Sequence, residues 1–219
     1  DLLDLETVEV PEYLRIQNNP DMGDEDLSVD RYISQEFFSK EKEEMWPRVW
    51  QMACREEEIP EPGDHHVYWI IDRSVIVTRT PSGEIKGYIN SCRHRGRCLR
   101  DESGSVDKFR CPFHGATWDL NGQFQGIPNQ WDFEHIEGRD MSLPQVKVAT
   151  WGGFVFINFD QDAPPLEDYM EVLPDHFKRF PLEEYFTGVH VQRVMNCNWK
   201  VGAEAFMESW HTVETHKQI

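Results

Sequence analysis

Long hydrophobic runs are missing from this sequence. The longest, Val67-Tyr68-Trp69-Ile70-Ile71, is far below the ~18 residues that a membrane span needs. No basic-then-apolar segment opens the chain, so no signal peptide is read, and because the first residue is Asp1 rather than Met, location is argued from chemistry. Basic residues are also scarce. Lys and Arg number 22 against 40 Asp and Glu, a formal charge of −18, which argues against nucleic acid or any other polyanionic partner. Cysteine is sparse and odd in number: five in 219 residues make a poor disulfide framework, so ligands or buried thiols are expected, in a reducing, cytoplasmic compartment. There is no internal repeat and no low-complexity tract. What the chain does have is 39% apolar and 12% aromatic residues, enough for a globular core in one or two domains.

The acidity is concentrated at the front. Residues 1–62 hold 18 acids and 6 bases, and from Asp1 to Asp30 the punctuation by Pro11, Pro20 and Gly23 reads as an extended, solvated arm. Ser34 is placed to cap a short amphipathic helix with Phe37, Phe38, Met45 and Trp46 on its apolar side, ending near Pro47. Strand-like runs follow at Val49–Cys54, Val67–Ile71, Ser74–Thr80, Ile85–Asn90, Val146–Trp151 and Phe154–Phe159, with turn signals at Pro81-Ser82-Gly83 and Asn121-Gly122. Their spacing predicts a small antiparallel sandwich or barrel over residues 48–162. Composition changes at Asp162-Ala163-Pro164-Pro165, and residues 163–219 read as a second unit. It contains a helical stretch from Leu166 to Phe180 interrupted at Pro174, a strand-like alternation over Val189–Met195, and a helix capped by Asn198 whose Trp199, Ala203, Phe206 and Trp210 form a core-facing stripe.

Two constellations carry chemistry. The first is Cys92-Arg93-His94-Arg95-Gly96 and, after sixteen intervening residues beyond His94, Cys111-Pro112-Phe113-His114-Gly115. Each loop brings one thiolate and one imidazole, and the glycine after each histidine is expected to let the backbone approach a bulky centre. Such a set suits one tetrahedral Zn(II), or a [2Fe-2S] cluster with both cysteines on one iron and both histidines on the other. A local island of Arg93, Arg95, Arg97, Arg100, Lys108 and Arg110 surrounds it. In so acidic a chain that island reads as a steering surface for an acidic partner, against ordinary loop solvation.

The second constellation is on the last helix, where Glu204, Glu208 and His211 fall on one face and His216 follows five residues after His211. A regular helix would separate the two imidazoles by about 140 degrees, so they can share a metal only if the helix breaks or bends near Val213. Two histidines and a carboxylate form the facial set of non-haem Fe(II). Taken alone, histidines of this sort are more often surface or satisfied core residues. A rival reading, Glu208-Ser209-Trp210-His211 as half of a di-iron bundle site, lacks the second E-x-x-H it requires.

With both constellations in this order, the sequence resembles the large, alpha subunits of Rieske non-haem iron oxygenases of the aromatic ring-hydroxylating type, over about residues 35–219. The two loops, the Trp151-Gly152-Gly153-Phe154-Val155-Phe156-Ile157-Asn158 run and Asn198-Trp199-Lys200 carry the likeness. The respiratory branch has a disulfide cysteine in each loop. Here Arg97 and Phe113 stand in those places, as in the ferredoxin and oxygenase branches. The resemblance implies an α+β chain: an acidic arm and short helix (1–47), an antiparallel all-β Rieske domain with two cluster-binding loops (48–162), and the start of a helix-grip catalytic domain (163–219). It implies a [2Fe-2S] cluster on Cys92, His94, Cys111 and His114, and a mononuclear Fe(II) on His211 and His216 with a third ligand, an Asp, beyond Ile219. Glu208 takes the place of the acid that bridges the mononuclear site to a neighbouring subunit's cluster, where many relatives have Asp. Ala205 and Trp210 also depart from the family motif. The implied function is a terminal oxygenase taking electrons from a ferredoxin or reductase and using O2 on an apolar, aromatic substrate, in a homotrimer or alpha3beta3 assembly. The alternatives are a monooxygenase or demethylase of a non-aromatic or methylated substrate, a pure electron carrier, and a zinc-stabilised binding module.

Overall fold

Alternation of apolar residues along six of the runs above builds the main sheet. The computed structural model describes residues 2–12, 15 and 23–218. Its strands are β1 (Gln51–Arg55), β2 (Asp64–Ile70), β3 (Arg73–Arg79), β4 (Ile85–Ile89), β5 (Gly104–Ser105), β6 (Phe109–Arg110), β7 (Thr117–Trp118), β8 (Phe124–Gly126), β9 (Gln145–Trp151) and β10 (Phe154–Asn158). All pairings are antiparallel, in a seven-stranded sheet ordered β1-β10-β9-β4-β3-β2-β5 and a three-stranded sheet ordered β6-β7-β8. The turn at Pro81-Ser82-Gly83 joins β3 to β4, and that at Asn121-Gly122 lies between β7 and β8, as their residues require. Strands β5 to β8 were not expected. With two or three residues each, they are too short to show an alternation.

The apolar face of the large sheet buries Ile59, Val75, Val77, Val146, Val155 and Ile157. A second cluster, Ile76, Tyr88, Phe109, Trp118, Leu120 and Leu143, fills the space between the two sheets and includes Cys92 and Cys111. Both loops of the first constellation are therefore rooted in one core.

Ser34 caps α2 (Gln35–Lys40), its hydroxyl accepting the Phe37 N–H at 3.3 Å, and α1 (Asp30–Ile33) precedes it. Beyond Lys40 the helix widens into a π turn over Glu41–Met45. Of the acidic arm, Leu2–Leu5 form a 3-10 turn; the other described residues before Asp30 have no extended regular element, and residues 13, 14 and 16–22 lie outside the described set.

The last quarter departs most from expectation. Helices α3 (Leu166–Met170) and α4 (Leu173–Phe177) do occupy the predicted stretch, but Pro174 does not interrupt it. It lies in the first turn of α4, where its missing N–H is not needed. The break is at Glu171, whose φ is 49°. Leu166 and Met170 pack on Trp50, whose indole N–H donates to the Pro164 carbonyl at 3.0 Å, so the proline linker lies against the sheet. Val189–Met195 forms no strand. Its valines are exposed on both faces, and an alternating segment becomes a strand only where a neighbour supplies the ladder. Helix α5 (Trp199–Glu204) is capped by Asn198 as read, with the Lys200 N–H on its Oδ1 at 3.0 Å, but it ends at Glu204. The aromatic stripe accordingly does not face a core. Phe206 and Trp210 are 90% and 89% exposed, and only Trp199 packs, edge-on against Trp46 at 5.1 Å.

What holds α5 is the front of the chain. Tyr32 donates its hydroxyl to Glu204 at 2.9 Å, Asn198 Nδ2 donates to the Tyr32 carbonyl at 2.9 Å, and the buried Lys200 ammonium meets the buried Glu41 carboxylate at 2.6 Å. Phe37, Trp199 and Tyr32 put ring faces within 5.1, 5.2 and 5.9 Å of that ammonium, compensating part of its lost hydration. Lys200→Met leaves Glu41 buried and unpaired, and should cost about 3–5 kcal/mol against denaturant, followed through the near-ultraviolet dichroism of the Trp46–Trp199 contact. Adding Glu41→Leu should restore most of it; an undiminished Lys200→Met protein would show that the pair does not anchor α5.

Candidate metal centres

The same turn is built twice. In the first loop the Cys92 N–H donates to the Arg97 carbonyl at 2.8 Å and the Gly96 N–H to the Cys92 carbonyl at 2.9 Å; in the second the Cys111 N–H donates to Ala116 at 2.8 Å and the Gly115 N–H to Cys111 at 3.0 Å. Both turns close only with a left-handed residue at the fifth position, and Gly96 and Gly115 have φ of +73° and +76°. The glycines therefore serve the turn. A side chain at Gly96 would meet only Ser91 at 3.8 Å, and one at Gly115 would strike Pro128 at 3.0 Å.

These turns point the cysteines inward and the histidines out. Cys92 and Cys111 are buried, free of any disulfide, and adjacent. Burial raises the Cys92 thiol above its ordinary range and neighbouring Cys111 adds to this, while N–H groups of His94 and Arg95 aimed at the sulfur pull the other way. Above them the exposed rings of His94 and His114 stand 5.0 Å apart, centroid to centroid. The ligands are thus sorted, thiol beside thiol and imidazole beside imidazole. A two-iron cluster asks for this sorting. Phe113 stacks on His114 at 4.0 Å, and Arg95 lies over Phe113 at 5.9 Å, contacts that the motif spacing did not reveal. Arg93, Arg95 and Arg97 surround the imidazoles in solvent, Arg97 paired with Asp101 at 3.3 Å.

The second constellation sits where α5 has already ended. His211 precedes and His216 follows the one-turn α6 (Thr212–Thr215), so the helix breaks after Glu204, and Val213 lies inside a helical turn rather than at a bend. His216 itself leaves the helical conformation, with φ −116° and ψ 54°, and the two imidazoles lie together, with centroids 5.5 Å apart. Glu208 Oε1 lies 2.5 Å from His211 Nδ1, and Oε2 accepts the backbone N–H of Trp210 and, at 3.2 Å, of His211. The His211 hydrogen bond, with those N–H groups, holds the Glu208 carboxyl below the usual range. With Nδ1–H on Glu208, His211 keeps its Nε2 lone pair free for a metal. Glu204, read on the same face, is instead taken by Tyr32.

Residues 49–147 match the Rieske [2Fe-2S] domain family. The chain is a homologue of Rieske oxygenase alpha subunits. It is 31% identical over 192 residues to the chlorobenzene dioxygenase subunit alpha of Cupriavidus sp. (strain PS12), covering 84% of this chain and 42% of that one. To the naphthalene 1,2-dioxygenase large oxygenase component of Pseudomonas putida it is 32% identical, over 83% of this chain and 42% of the relative. Its fold superimposes on the quaternary ammonium Rieske monooxygenase CntA with a TM-score of 0.81 at 26% identity, covering 89% of this chain and 55% of the other. On naphthalene 1,2-dioxygenase with indole bound the TM-score is 0.76 at 32% identity, covering 83% and 42%. The Rieske homologue thus spans about 42% of the length of these curated relatives. Their names are those of oxidoreductases, dioxygenases and Rieske monooxygenases.

The two turns of this Rieske domain differ in surroundings. Gly96→Ala should cost about 1–2 kcal/mol, the strain of a left-handed Ala alone. Gly115→Ala should cost more, because its Cβ also meets Pro128 at 3.0 Å and Arg110 Nη2 at 3.2 Å. Thermal unfolding of the cluster-loaded variants is the check, and equal losses would contradict the crowding at the second turn.

Proposed function

We propose that the protein is the terminal oxygenase component of a Rieske non-haem iron system acting on a small apolar substrate. The observation that carries this is the sorted ligand set in a matched Rieske domain: paired buried thiols under paired exposed imidazoles. In this reading the domain runs over residues 48–162, Cys92 and Cys111 hold one iron of a [2Fe-2S] cluster, and His94 and His114 hold the other. Residues 163–219 open the catalytic domain, where His211 and His216 hold a mononuclear Fe(II) whose third, carboxylate ligand comes from outside this sequence. When bound, the cluster supplies one-electron transfer and the Fe(II) supplies the place where O2 is activated toward substrate.

The chain's own residues orient these groups. Glu208 keeps the His211 Nδ1 proton and so aims Nε2 outward; its partly exposed side chain is free to meet the exposed His94 or His114 of a second copy, in a homotrimer or alpha3beta3 assembly. Arg93, Arg95 and Arg97 favour an acidic ferredoxin or reductase by long-range attraction. A helix long and apolar enough to cross a membrane is absent among the described residues, and a cytoplasmic location is part of this proposal.

A second reading concerns the substrate. The superposition on CntA covers 89% of the chain, and solved structures of that monooxygenase include one with L-carnitine at a TM-score of 0.79. This favours oxidation of a methylated or quaternary ammonium compound as the alternative to an aromatic ring. Oxygen uptake by the full-length protein, with a reductase and either an aromatic hydrocarbon or a quaternary ammonium compound, separates the two; uptake with neither leaves the pure electron carrier.

Two outcomes are expected. Cys111→Ala should abolish the thiolate charge-transfer absorption and the reduced-state EPR signal, and full retention would sink the ligand assignment. Glu208→Gln should keep both metal centres while slowing single-turnover oxidation of the reduced cluster at least tenfold, the scale of one lost charge-assisted hydrogen bond. An unchanged rate would reject the bridging role.

A further inference from the structure

Three side chains outside the ligand set tie both cluster loops to one point in the core. Asn90, buried just beyond β4, closes the base of the first loop. Its Oδ1 accepts the N–H groups of Leu99 and Arg100, both at 3.0 Å, and its Nδ2 donates to the Arg100 carbonyl at 2.6 Å. A single carboxamide thus pins the two ends of the segment that carries Cys92 and His94. From there Arg100 turns inward, its Nε–H donating to His65 Nε2 at 3.1 Å. A guanidinium has no acceptor, so His65 Nε2 must carry the lone pair, and Nδ1 carries the hydrogen, facing the Gly63 carbonyl at 3.4 Å.

His65 is 1% exposed, on β2. Burial, and the adjacent Arg100 charge, lower its basicity below the ordinary imidazole range, although the Gly63 carbonyl and Asp64 oppose this; the neutral form that the Arg100 hydrogen bond needs is the favoured one. Its ring also meets Phe109 edge-on at 5.9 Å, and Phe109, on β6, stands two residues before Cys111. The imidazole therefore touches the stem of each loop, the first through Arg100 and Asn90, the second through Phe109.

We propose that His65, Arg100 and Asn90 are positioning residues for the cluster, bracing the loop of Cys92 and His94 against the loop of Cys111 and His114. The inference rests on the ligand assignment made above and extends it to the reduction potential. N–H groups of His94 and Arg95 point at the Cys92 sulfur, and hydrogen bonds to ligand sulfur stabilise the more negative, reduced cluster. A slack first loop loosens those bonds and makes the cluster harder to reduce.

The test is redox titration and EPR on the cluster-loaded protein and three variants. His65→Leu and Arg100→Met each remove the Arg100–His65 bond while leaving Asn90 in place. Each should lower electron affinity about tenfold, on the scale of one charge-assisted hydrogen bond, a shift of ~59 mV to more negative potential, with altered g-anisotropy. His65→Gln, whose amide oxygen can accept from Arg100, should restore both readouts toward wild type. If either variant fails to fold, the other carries the measurement. Lowered thermal stability with unchanged potential and g-values in the Leu and Met variants would reduce the trio to core packing and overturn the proposal. A wild-type protein without a histidine-ligated cluster signal would overturn the ligand assignment and this inference together, whereas a normal wild type with unmoved variants overturns this inference alone.

Discussion

Two thiols, buried side by side and kept from forming a disulfide, set the terms for the rest of this fold. Both are buried, and burial holds the Cys92 thiol above its ordinary range, so a cationic centre that takes up the thiolate offsets that cost. Placing them there requires two turns of the same shape, each with a left-handed glycine at its fifth position, and each leaving its histidine on the outside. The turns in turn require a rigid base. Tyr88, Phe109 and Trp118 supply it, with the Trp118 indole N–H donating to the Met141 carbonyl at 2.7 Å and the Tyr88 hydroxyl to the Leu120 carbonyl at 3.2 Å. No polar end of those large rings is left unmatched, so the core beneath the site holds its shape without an internal polar cost.

Charge follows the same division between inside and outside. A chain with a formal charge of −18 nonetheless surrounds its exposed imidazoles with Arg93, Arg95 and Arg97, while its acids gather in the front segment. In the last quarter Glu208 is held on His211, and the buried Glu41–Lys200 pair ties α5 to the front helices. The cluster loops present two exposed imidazoles among arginines, and the last quarter presents a carboxylate bonded to the His211 ring.

Much of this was legible in the sequence where a residue pattern repeats in short range. Strands β1 to β4, β9 and β10 announce themselves by alternation, and the ligand loops by the types and spacing of Cys92, His94, Cys111 and His114. Patterns misled where burial depends on what lies across from them. The Val189–Met195 alternation has the right period yet forms no strand, and the helix that starts at Trp199 ends at Glu204, leaving Phe206 and Trp210 exposed, since no described surface covers those residues. Least legible were Asn90, Arg100 and His65: their relation spans 35 residues and joins strand β2 to both ends of the first loop, so no local period encodes it. The Pro174 reading failed for a narrower reason, since proline breaks a helix interior but suits a first turn.

The account depends above all on two imidazoles and two thiolates sharing one cluster, and nitrogen hyperfine spectroscopy addresses that directly. The dithionite-reduced protein, prepared with 15N-labelled histidine, should show strong coupling from two histidine nitrogens in its EPR signal, and His94→Cys should leave one. A cluster signal with no histidine nitrogen coupling, or with coupling unchanged in that variant, would contradict the arrangement.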